Sequence, residues 1–184
     1  MLTVGRFKVR SLCCPSPVLQ VLQELRLIAE PKAVSSFALN LPLFPRLTAL
    51  GLNVEEDLYE GLLDCAVLGQ LPCLQTFTAG GWAQVALKGA MVLPALTFME
   101  IHGVGKLELD AALPRLRQLS VIADIARLTG KQLQLPQLTW LELGCIYDSL
   151  SVSWAAMPQL AELELMYIGA SEVDSAGLVS LTHL

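Results

Sequence analysis

A short phrase recurs along the chain and constrains its fold more than any other feature. The phrase consists of a large apolar residue, a second residue that is usually Pro, a third residue of any type, and then Leu-x-x-Leu-x-Leu. One copy is Met157-Pro158-Gln159-Leu160-Ala161-Glu162-Leu163-Glu164-Leu165. Aligned on the proline, its copies are centred on Gln20, Pro45, Pro72, Pro94, Pro114, Pro136 and Pro158, with a partial copy at Val179. A phrase repeated every 20 to 27 residues indicates a solenoid, in which each repeat packs only on its neighbours.

Leu at alternate positions within the phrase predicts a strand with one buried and one open face. Parallel strands need a return segment rather than a tight hairpin, and the roughly 12 other residues of each repeat suffice for one. We expect a third inward position two residues after the last Leu, mostly small, at Ala29, Val54, Gly81, Gly103, Ala123, Cys145 and Tyr167. The phrase therefore predicts one parallel strand per repeat, stacked in register.

The return segments differ in their pattern. Residues 55–68 begin with acids and place Leu58, Leu62, Leu63 and Cys65 on roughly one face, which predicts an amphipathic helix. Several later return segments alternate between polar and apolar residues instead. They predict a second row of short strands, at residues 84–88, 106–109, 132–135 and 149–153.

Composition bounds the class of protein. Of the 184 residues, 54% are hydrophobic and 16% are charged, so there is ample material for a continuous core. The mean hydropathy is +0.56, but Pro, Gln, Glu or Arg interrupts each apolar stretch well short of the roughly 18 residues of a spanning helix. We expect a soluble protein with no membrane partner and no secretion signal. Five scattered cysteines without C-x-x-C spacing fit reduced thiols, so the expected location is cytoplasmic or nuclear.

The phrase, at a period of about 22 residues, resembles the leucine-rich repeat over residues 19–184. The resemblance implies an α/β fold: a curved right-handed coil with a parallel β-sheet on its concave face and mostly irregular, short-strand or short-helix segments on its convex face. The preceding Leu-Pro is similar to a variant common in plant and algal intracellular proteins of this family, including immune receptors. The family's usual Asn, three residues after the last Leu, is absent, and those positions hold Glu30, Glu55, Val104, Asp124, Ile146 and Ile168. Backbone groups that an Asn ladder would bridge must therefore pair in another way.

Two segments are expected along the chain. Residues 1–18 form an N-terminal flank or partial cap, and residues 19–184 form the repeat domain, with about seven full repeats and a truncated eighth. The eighth copy stops at Leu184, halfway through its phrase, without the polar cap that a solenoid end requires. We therefore expect the chain to be part of a longer one.

Charge is unevenly distributed along the chain. The net charge is −5, and residues 132–184 hold six acids and no Lys or Arg. A nucleic-acid partner is not expected there, because its phosphates would be repelled. From the fourth repeat onward, the open strand positions combine aromatic and apolar side chains with carboxylates. The candidate binding residues are Phe98, Glu100, His102, Gln118, Ile122, Trp140, Glu142, Glu162, Glu164 and Met166.

Exposed aromatic side chains in an acidic field suit a basic or Arg-bearing peptide, with aromatic anchors and charge steering. The alternative is that these are ordinary solvated strand residues whose aromatics pack on cross-strand neighbours. We predict a non-enzymatic protein–protein interaction scaffold that binds a protein or peptide on its concave face. The other function to consider is a structural or regulatory segment of a larger protein, immune-receptor-like or ubiquitin-ligase substrate-recognition-like, that packs on a sister domain.

Patterns for catalysis or metal binding are weak. Glu100 and His102 share the open face, but no Ser or Cys lies at a nucleophile position beside them. Residues 103–106 lack the G-x-x-x-x-G-K-[ST] frame of a phosphate loop. Cys13 and Cys14 are adjacent rather than spaced as zinc ligands, and are interpreted as incidental thiols or as sites of oxidation or lipidation. We expect no enzymatic activity, no cofactor and no metal.

Overall fold

The computed structural model describes residues 22–28, 44–54 and 61–169. Its strands are β1 (Glu24–Ile28), β2 (Ala49–Asn53), β3 (Leu62–Asp64), β4 (Thr76–Gly80), β5 (Gln84–Val92), β6 (Phe98–Ala112), β7 (Gln118–Leu128), β8 (Trp140–Gly144), β9 (Ser149–Val152) and β10 (Glu162–Met166). Two 3₁₀ helices follow β3 and β9, at Cys65–Gln70 and Trp154–Ala156. The described ranges contain no α-helix, so the helical part of the expected α/β fold is not found there. Nor do they contain any helix long and apolar enough to cross a membrane.

The expected N-terminal flank, the truncated eighth repeat, and Cys13 and Cys14 all lie outside the described residues.

The described strands form one ten-stranded parallel sheet with two connected rows. Row one runs β1-β2-β4-β6-β7-β8-β10, with one strand for each of the seven full copies of the phrase. Row two joins β3, β5, the second halves of β6 and β7, and β9. Because β6 and β7 are long, they pass through both rows without interruption. This stack of parallel strands confirms the predicted repeat solenoid.

The six phrases that the structure describes from their first residue, the second to the seventh, begin with the same turn. The apolar residue before the proline accepts a hydrogen bond from the Leu three residues after that apolar residue, as Leu93 O does from Leu96 N at 3.4 Å and Leu135 O from Leu138 N at 3.2 Å. Proline suits the second position of such a turn because its ring holds φ near about −65° and it has no N–H to leave unpaired. The turn thus delivers the chain to the start of each row-one strand.

The core lies between the rows. On β6, β7 and β8 the inward side chains of row one are fully buried at 0% exposure: Met99, Ile101, Leu119, Val121, Leu141 and Leu143. Burying a side chain of this size contributes roughly 1.5–3 kcal/mol. The alternating positions of the phrase therefore face inward as predicted on these three strands, and they supply the main stabilisation of these turns.

The third predicted inward position is wrong in four turns. There it forms the corner between the two rows, with left-handed φ values at Gly81 (76°), Gly103 (57°), Cys145 (56°) and Tyr167 (54°). Cys145 is only half-buried and Tyr167 is exposed, so neither belongs to the core. The residue after the corner points inward instead, because the corner reverses the alternation. These inward residues are Trp82, Val104 and Ile146.

Val54 and Ala123 are buried at the third position as predicted. Ala123 is buried because the corner of β7 is one residue shorter than that of β6. Ile101 pairs with Val121, and Val104 pairs with Ala123. Ala123 therefore occupies the inward place that Val104 has in the preceding turn. Its small side chain fits a corner that is shorter by one residue.

The corners also show how the backbone pairs without an Asn ladder. Successive corners bond to each other directly, from Gly105 N to Trp82 O at 3.1 Å, from Tyr147 N to Asp124 O at 3.2 Å and from Gly169 N to Ile146 O at 2.8 Å. The hydrogen-bond ladder of row one therefore continues around the corner into row two. Val104 and Ile146, at two of the positions where leucine-rich repeats usually have Asn, are buried apolar residues.

Where the structure describes residues 55–68, the predicted amphipathic helix is replaced by strand β3 and by a 3₁₀ helix that begins at Cys65. Leu62–Asp64 is strand β3, and the Asp64 Oδ1 accepts from Ala66 N at 2.9 Å to cap the 3₁₀ helix that follows. Leu63 pairs with Val85 in row two, and a helix would forgo that pairing. Residues 55–60 lie outside the described residues.

The second row of strands is confirmed at three of its four predicted places, residues 84–88, 106–109 and 149–152. Residues 132–135 form no such strand, and Gln134 makes only an isolated bridge with Ala112. The row-two strand of that repeat is residues 125–128 of β7, which pair with both β6 and β9. The short corner at Ala123 brings these residues into row two earlier than the alternation of residues 132–135 suggested.

Candidate functional site

All ten candidate binding residues lie on the row-one strands at positions that alternate with the core. Parallel register sets them in columns that run across the strands. The first column contains Phe98, Gln118, Trp140 and Glu162, and the second contains Glu100, Ser120, Glu142 and Glu164. Neighbouring strands are about 4.8 Å apart, so consecutive members of a column are side by side. We call this surface, on the side of row one away from the core, the open face.

The third column of the open face is less regular. Ile122 and Met166 lie on either side of Gly144. His102 pairs with Gly80 on β4, and it has no partner on β7 because the register between β6 and β7 shifts after Ile101. The predicted juxtaposition is therefore found in the first two columns, and His102 belongs with the earlier strands.

Exposure differs across the open face. Gln118, Glu162 and Glu164 are exposed, whereas Trp140 and Glu142 are half-buried, as are Phe98, Glu100, His102, Ile122 and Met166. Half-buried side chains are held by their neighbours and still present surface to a partner. The face therefore offers positioned aromatic and acidic groups at β6 to β8, and freer carboxylates at β10.

Two carboxylates are direct neighbours on this face. Glu142 and Glu164 occupy paired positions on β8 and β10, and like charges opposite each other destabilise a sheet. The Ser120 hydroxyl donates to Glu142 Oε2 at 2.6 Å, which holds that carboxylate in place. No ion pair joins Glu142 or Glu164 to a Lys or Arg of the described ranges. The repulsion between them is therefore not offset by a nearby cation of those ranges.

His102 is turned towards Gly80. A Cβ at Gly80 would overlap the imidazole, so the ring covers this glycine. His102 Nδ1 is buried without a hydrogen-bond partner in the described part of the chain, and so is Oδ1 of Asn53, which pairs with Gly80 from the other side. No described hydrogen bond joins His102 to Glu100, its neighbour on the strand. The pair is thus placed on one face but is not arranged as a coupled acid and base.

Row two carries a charged cluster that the sequence reasoning missed. Lys106 Nζ lies 2.8 Å from Glu108 Oε1, Lys88 Nζ contacts Oε2 of the same carboxylate, and Arg127 Nη1 lies 3.9 Å away. Gln84 Nε2 also donates to Glu108 Oε2, at 3.0 Å. The alternation at residues 84–88 and 106–109 was the available signal, because it sets the lysines and Glu108 on the same side of row two.

Glu108 should make the free energy of unfolding depend on pH. Hydrogen bonds from Lys106 and Lys88 hold its pKa at about 2, below the ordinary 4.5. A folded-state pKa below the unfolded one adds stability that is complete above about pH 4.5 and is lost as the pH falls towards 2. We expect Glu108→Gln to lower the free energy of unfolding by about 1–2 kcal/mol at neutral pH, a modest value because the cations are partly solvated.

Urea unfolding of the two proteins from pH 7 down to pH 3 checks this expectation. The difference between them should shrink steadily below about pH 4.5. Glu162→Gln is the control, since Glu162 is exposed and has no ion pair among the described residues. A Glu108→Gln effect that is independent of pH would contradict the role assigned to the charge.

The remaining chemistry of the described residues is limited. They contain no group of three or more His, Cys, Asp or Glu that could hold a metal ion. Burial, followed by the charge of Asp64, raises the pKa of the Cys65 thiol, so this buried cysteine is held in its unreactive form. Cys73 is exposed and Cys145 is half-buried.

Comparison with known proteins provides no relative. No family model, curated protein or solved structure matches this chain. The leucine-rich-repeat family therefore stays a prediction. The structure itself shows the coarser class, a helix-poor repeat solenoid of parallel strands.

Proposed function

We propose that this chain is a non-enzymatic protein-interaction scaffold that binds a basic segment of another protein along the open face. The observation that carries the proposal is the paired Glu142 and Glu164 beside Trp140, without an ion pair to a described cation. Like charges in paired positions destabilise the free sheet. A basic ligand would remove that repulsion on binding. Part of its affinity would therefore come from relief of the electrostatic destabilisation of the free protein.

The aromatic side chains supply the second part of the argument. Trp140 lies in the first column between Gln118 and Glu162, and is half-buried rather than free in solvent. Positioned tryptophans are common anchors of protein interfaces, and rim carboxylates steer an oppositely charged partner. The open face combines both on adjacent strands.

The dimensions of the face favour an extended segment. The row from β1 to β10 contains seven strands, which span roughly 30 Å at about 4.8 Å for each step. An extended peptide advances about 3.3 Å per residue, so about nine residues would cross the whole face. Residues 132–184 contain no Lys or Arg, so the basic side chains of a ligand would meet carboxylates that no cation of that segment neutralises.

The finer family assignment is also a proposal. We propose a leucine-rich-repeat arc of the intracellular type, acting in the cytoplasm, with the open face as its concave side. Its support is the phrase itself, with one row-one strand for every copy. Row two, which takes the place of the Asn ladder, is the feature that departs most from that family.

One observation favours the alternative role, packing on a sister domain of a larger protein. At the β10 end of the stack Leu165 is 47% exposed, whereas its equivalents Val121 and Leu143 are fully buried. An inward-type residue with this exposure suits a surface that the predicted eighth repeat of this chain, or a sister domain, covers.

The test compares three labelled peptides of equal length, one basic, one acidic and one uncharged, by fluorescence anisotropy at low and high salt. We expect the basic peptide to bind, the acidic peptide not to bind, and the dissociation constant of the basic peptide to rise with salt as exposed charges are screened. Absence of binding by all three peptides, or equal binding of the acidic and basic ones, would count against the proposal.

A further inference from the structure

Two of the four left-handed corners carry side chains that such a backbone disfavours. Gly81 and Gly103 occupy the corner in the earlier turns, where glycine adopts positive φ without strain. Cys145 and Tyr167 adopt the same conformation in the last two turns, with φ of 56° and 54°. A bulky residue with positive φ is an outlier, and such outliers concentrate at functional sites.

Packing of the Tyr167 side chain does not compensate for the strain of its backbone. It is 78% exposed, so its ring contributes almost nothing to the core. A glycine at this place would hold the same corner, as Gly81 and Gly103 do in earlier turns. The ring is therefore better explained by what it presents to solvent than by what it does for stability.

A second exposed tyrosine lies at the same end of the solenoid. Tyr147 is 57% exposed, and its Cδ1 lies 3.4 Å from where a Cβ would be at Gly169. Backbone hydrogen bonds fix the two corners to each other, from Cys145 N to Met166 O at 2.9 Å and from Gly169 N to Ile146 O at 2.8 Å. Tyr147 and Tyr167 are thus presented on a rigid backbone.

Acidic side chains accompany the two rings. The backbone carbonyl of Asp124 accepts from both Tyr147 N, at 3.2 Å, and Asp148 N, at 3.1 Å, so the backbones of two aspartates adjoin that of Tyr147. Cys145 is the first cause of the raised pKa of Tyr147, followed by partial desolvation, and the charges of Asp124 and Tyr167 raise this pKa further. No ion pair of the described ranges joins Asp124 or Asp148 to a Lys or Arg.

We propose that Tyr147, Tyr167 and Asp124 form a subsite for an arginine side chain of the bound basic segment. A guanidinium stacks on an aromatic ring and binds a carboxylate through its planar fork, which the compact ammonium of lysine cannot do equally well. The subsite adjoins the open face, because Met166 belongs to that face and directly precedes Tyr167. The inference rests on the proposed function and extends it, from a basic partner to one with an arginine at the β10 end.

The test uses two labelled peptides with the same sequence, except that every basic residue is Arg in one and Lys in the other. The unmodified protein should bind the Arg peptide about five-fold more tightly than the Lys peptide, measured by fluorescence anisotropy. Tyr147→Ala should remove this preference while leaving binding by charge in place. Tyr147→Phe is its matched control and should keep the preference, because the ring remains.

Tyr167→Gly separates recognition from stability. It should also remove the Arg preference, yet raise the melting temperature by about 2–4 °C, since glycine relieves the left-handed strain. A structural tyrosine would show the opposite, a lower melting temperature with the preference unchanged. Equal affinity of the unmodified protein for both peptides would overturn the subsite alone. Failure of both peptides to bind would overturn the proposed function and the subsite with it.

Discussion

Replacing Trp82 with Ala should lower the free energy of unfolding by about 3–5 kcal/mol, the largest effect we expect from one substitution in the described part of the chain. Trp82 is fully buried and is the largest of the fully buried side chains there. It fills the inward place after the Gly81 corner, where later turns have only Val104 and Ile146. Ala would leave a cavity that the backbone ladders on either side prevent from collapsing.

The indole also connects two turns. Trp82 Nε1 donates to Leu52 O at 3.0 Å, across 30 residues of sequence. Trp82→Phe removes this hydrogen bond and keeps most of the volume, so we expect a loss of about 1–2 kcal/mol. The difference between the two variants then measures the packing contribution of the larger part of the ring.

Urea unfolding followed by circular dichroism checks both values. Repeat solenoids can unfold turn by turn, so the slope of the transition has to be compared as well as its midpoint. Only an unchanged slope allows the midpoints to be converted to a free-energy difference. A Trp82→Ala effect below about 1 kcal/mol would be inconsistent with a filled core at this corner.

Row one was predictable from sequence because its signal is local and repeated. Leu141 and Leu143 lie two residues apart, both face the core, and the same spacing recurs in each repeat. Aligning the repeats then also sets the register, which is why Trp140 and Glu162 could be placed side by side before the structure was known. A solenoid repeats one set of contacts, so an error in the alignment of one repeat becomes apparent when that repeat is compared with the others.

The corners were not predictable in the same way. The alternation predicts Gly81 and Gly103 to be small inward residues, although glycine is also the residue that most readily adopts positive φ. Cys145 and Tyr167 have no such preference, and the backbone pairing between neighbouring corners holds them in that conformation. The tyrosine subsite could not be foreseen for this reason, since it depends on which way the chain turns after each strand.

Pairing with residues distant in sequence likewise determines the secondary structure of the return segments. The pattern at residues 61–68 suits one face of a helix, but Leu63 pairs with Val85, and the segment begins as a strand. The preference of a short segment for a strand depends on its partners more than on its own residues. The Glu108 cluster depends on the same pairing, because its cations come from three different strands.

Replacing Trp140 with Ala and Glu142 with Gln together should weaken binding of the basic peptide about 100-fold. Loss of an aromatic anchor typically costs about 2 kcal/mol and loss of a carboxylate about 1 kcal/mol, and each 1.4 kcal/mol is a tenfold change in affinity. Glutamine retains the oxygen that accepts from the Ser120 hydroxyl, so the change at Glu142 removes charge and leaves its shape. Fluorescence anisotropy of the labelled peptide measures the loss.

Stability should respond differently from binding in this variant. Glu142→Gln ends the repulsion with Glu164, so the free protein should unfold no more easily at that position. Glu24→Gln is the matched control: it removes one charge from the first column of the same face, but on β1, at the opposite end of row one from β10. It should change the affinity less than two-fold, because Glu24 is already paired with Arg26, at 3.0 Å, and so offers little free charge to a ligand.

The single variants separate the two contributions. Glu142→Gln should reduce the salt dependence of binding, because it removes a screened charge, whereas Trp140→Ala should weaken binding equally at low and high salt. If the double variant instead bound as tightly as the unmodified protein, the open face would be an ordinary solvated sheet surface. The exposed Leu165 end, rather than the acidic columns, would then be the surface that meets another domain.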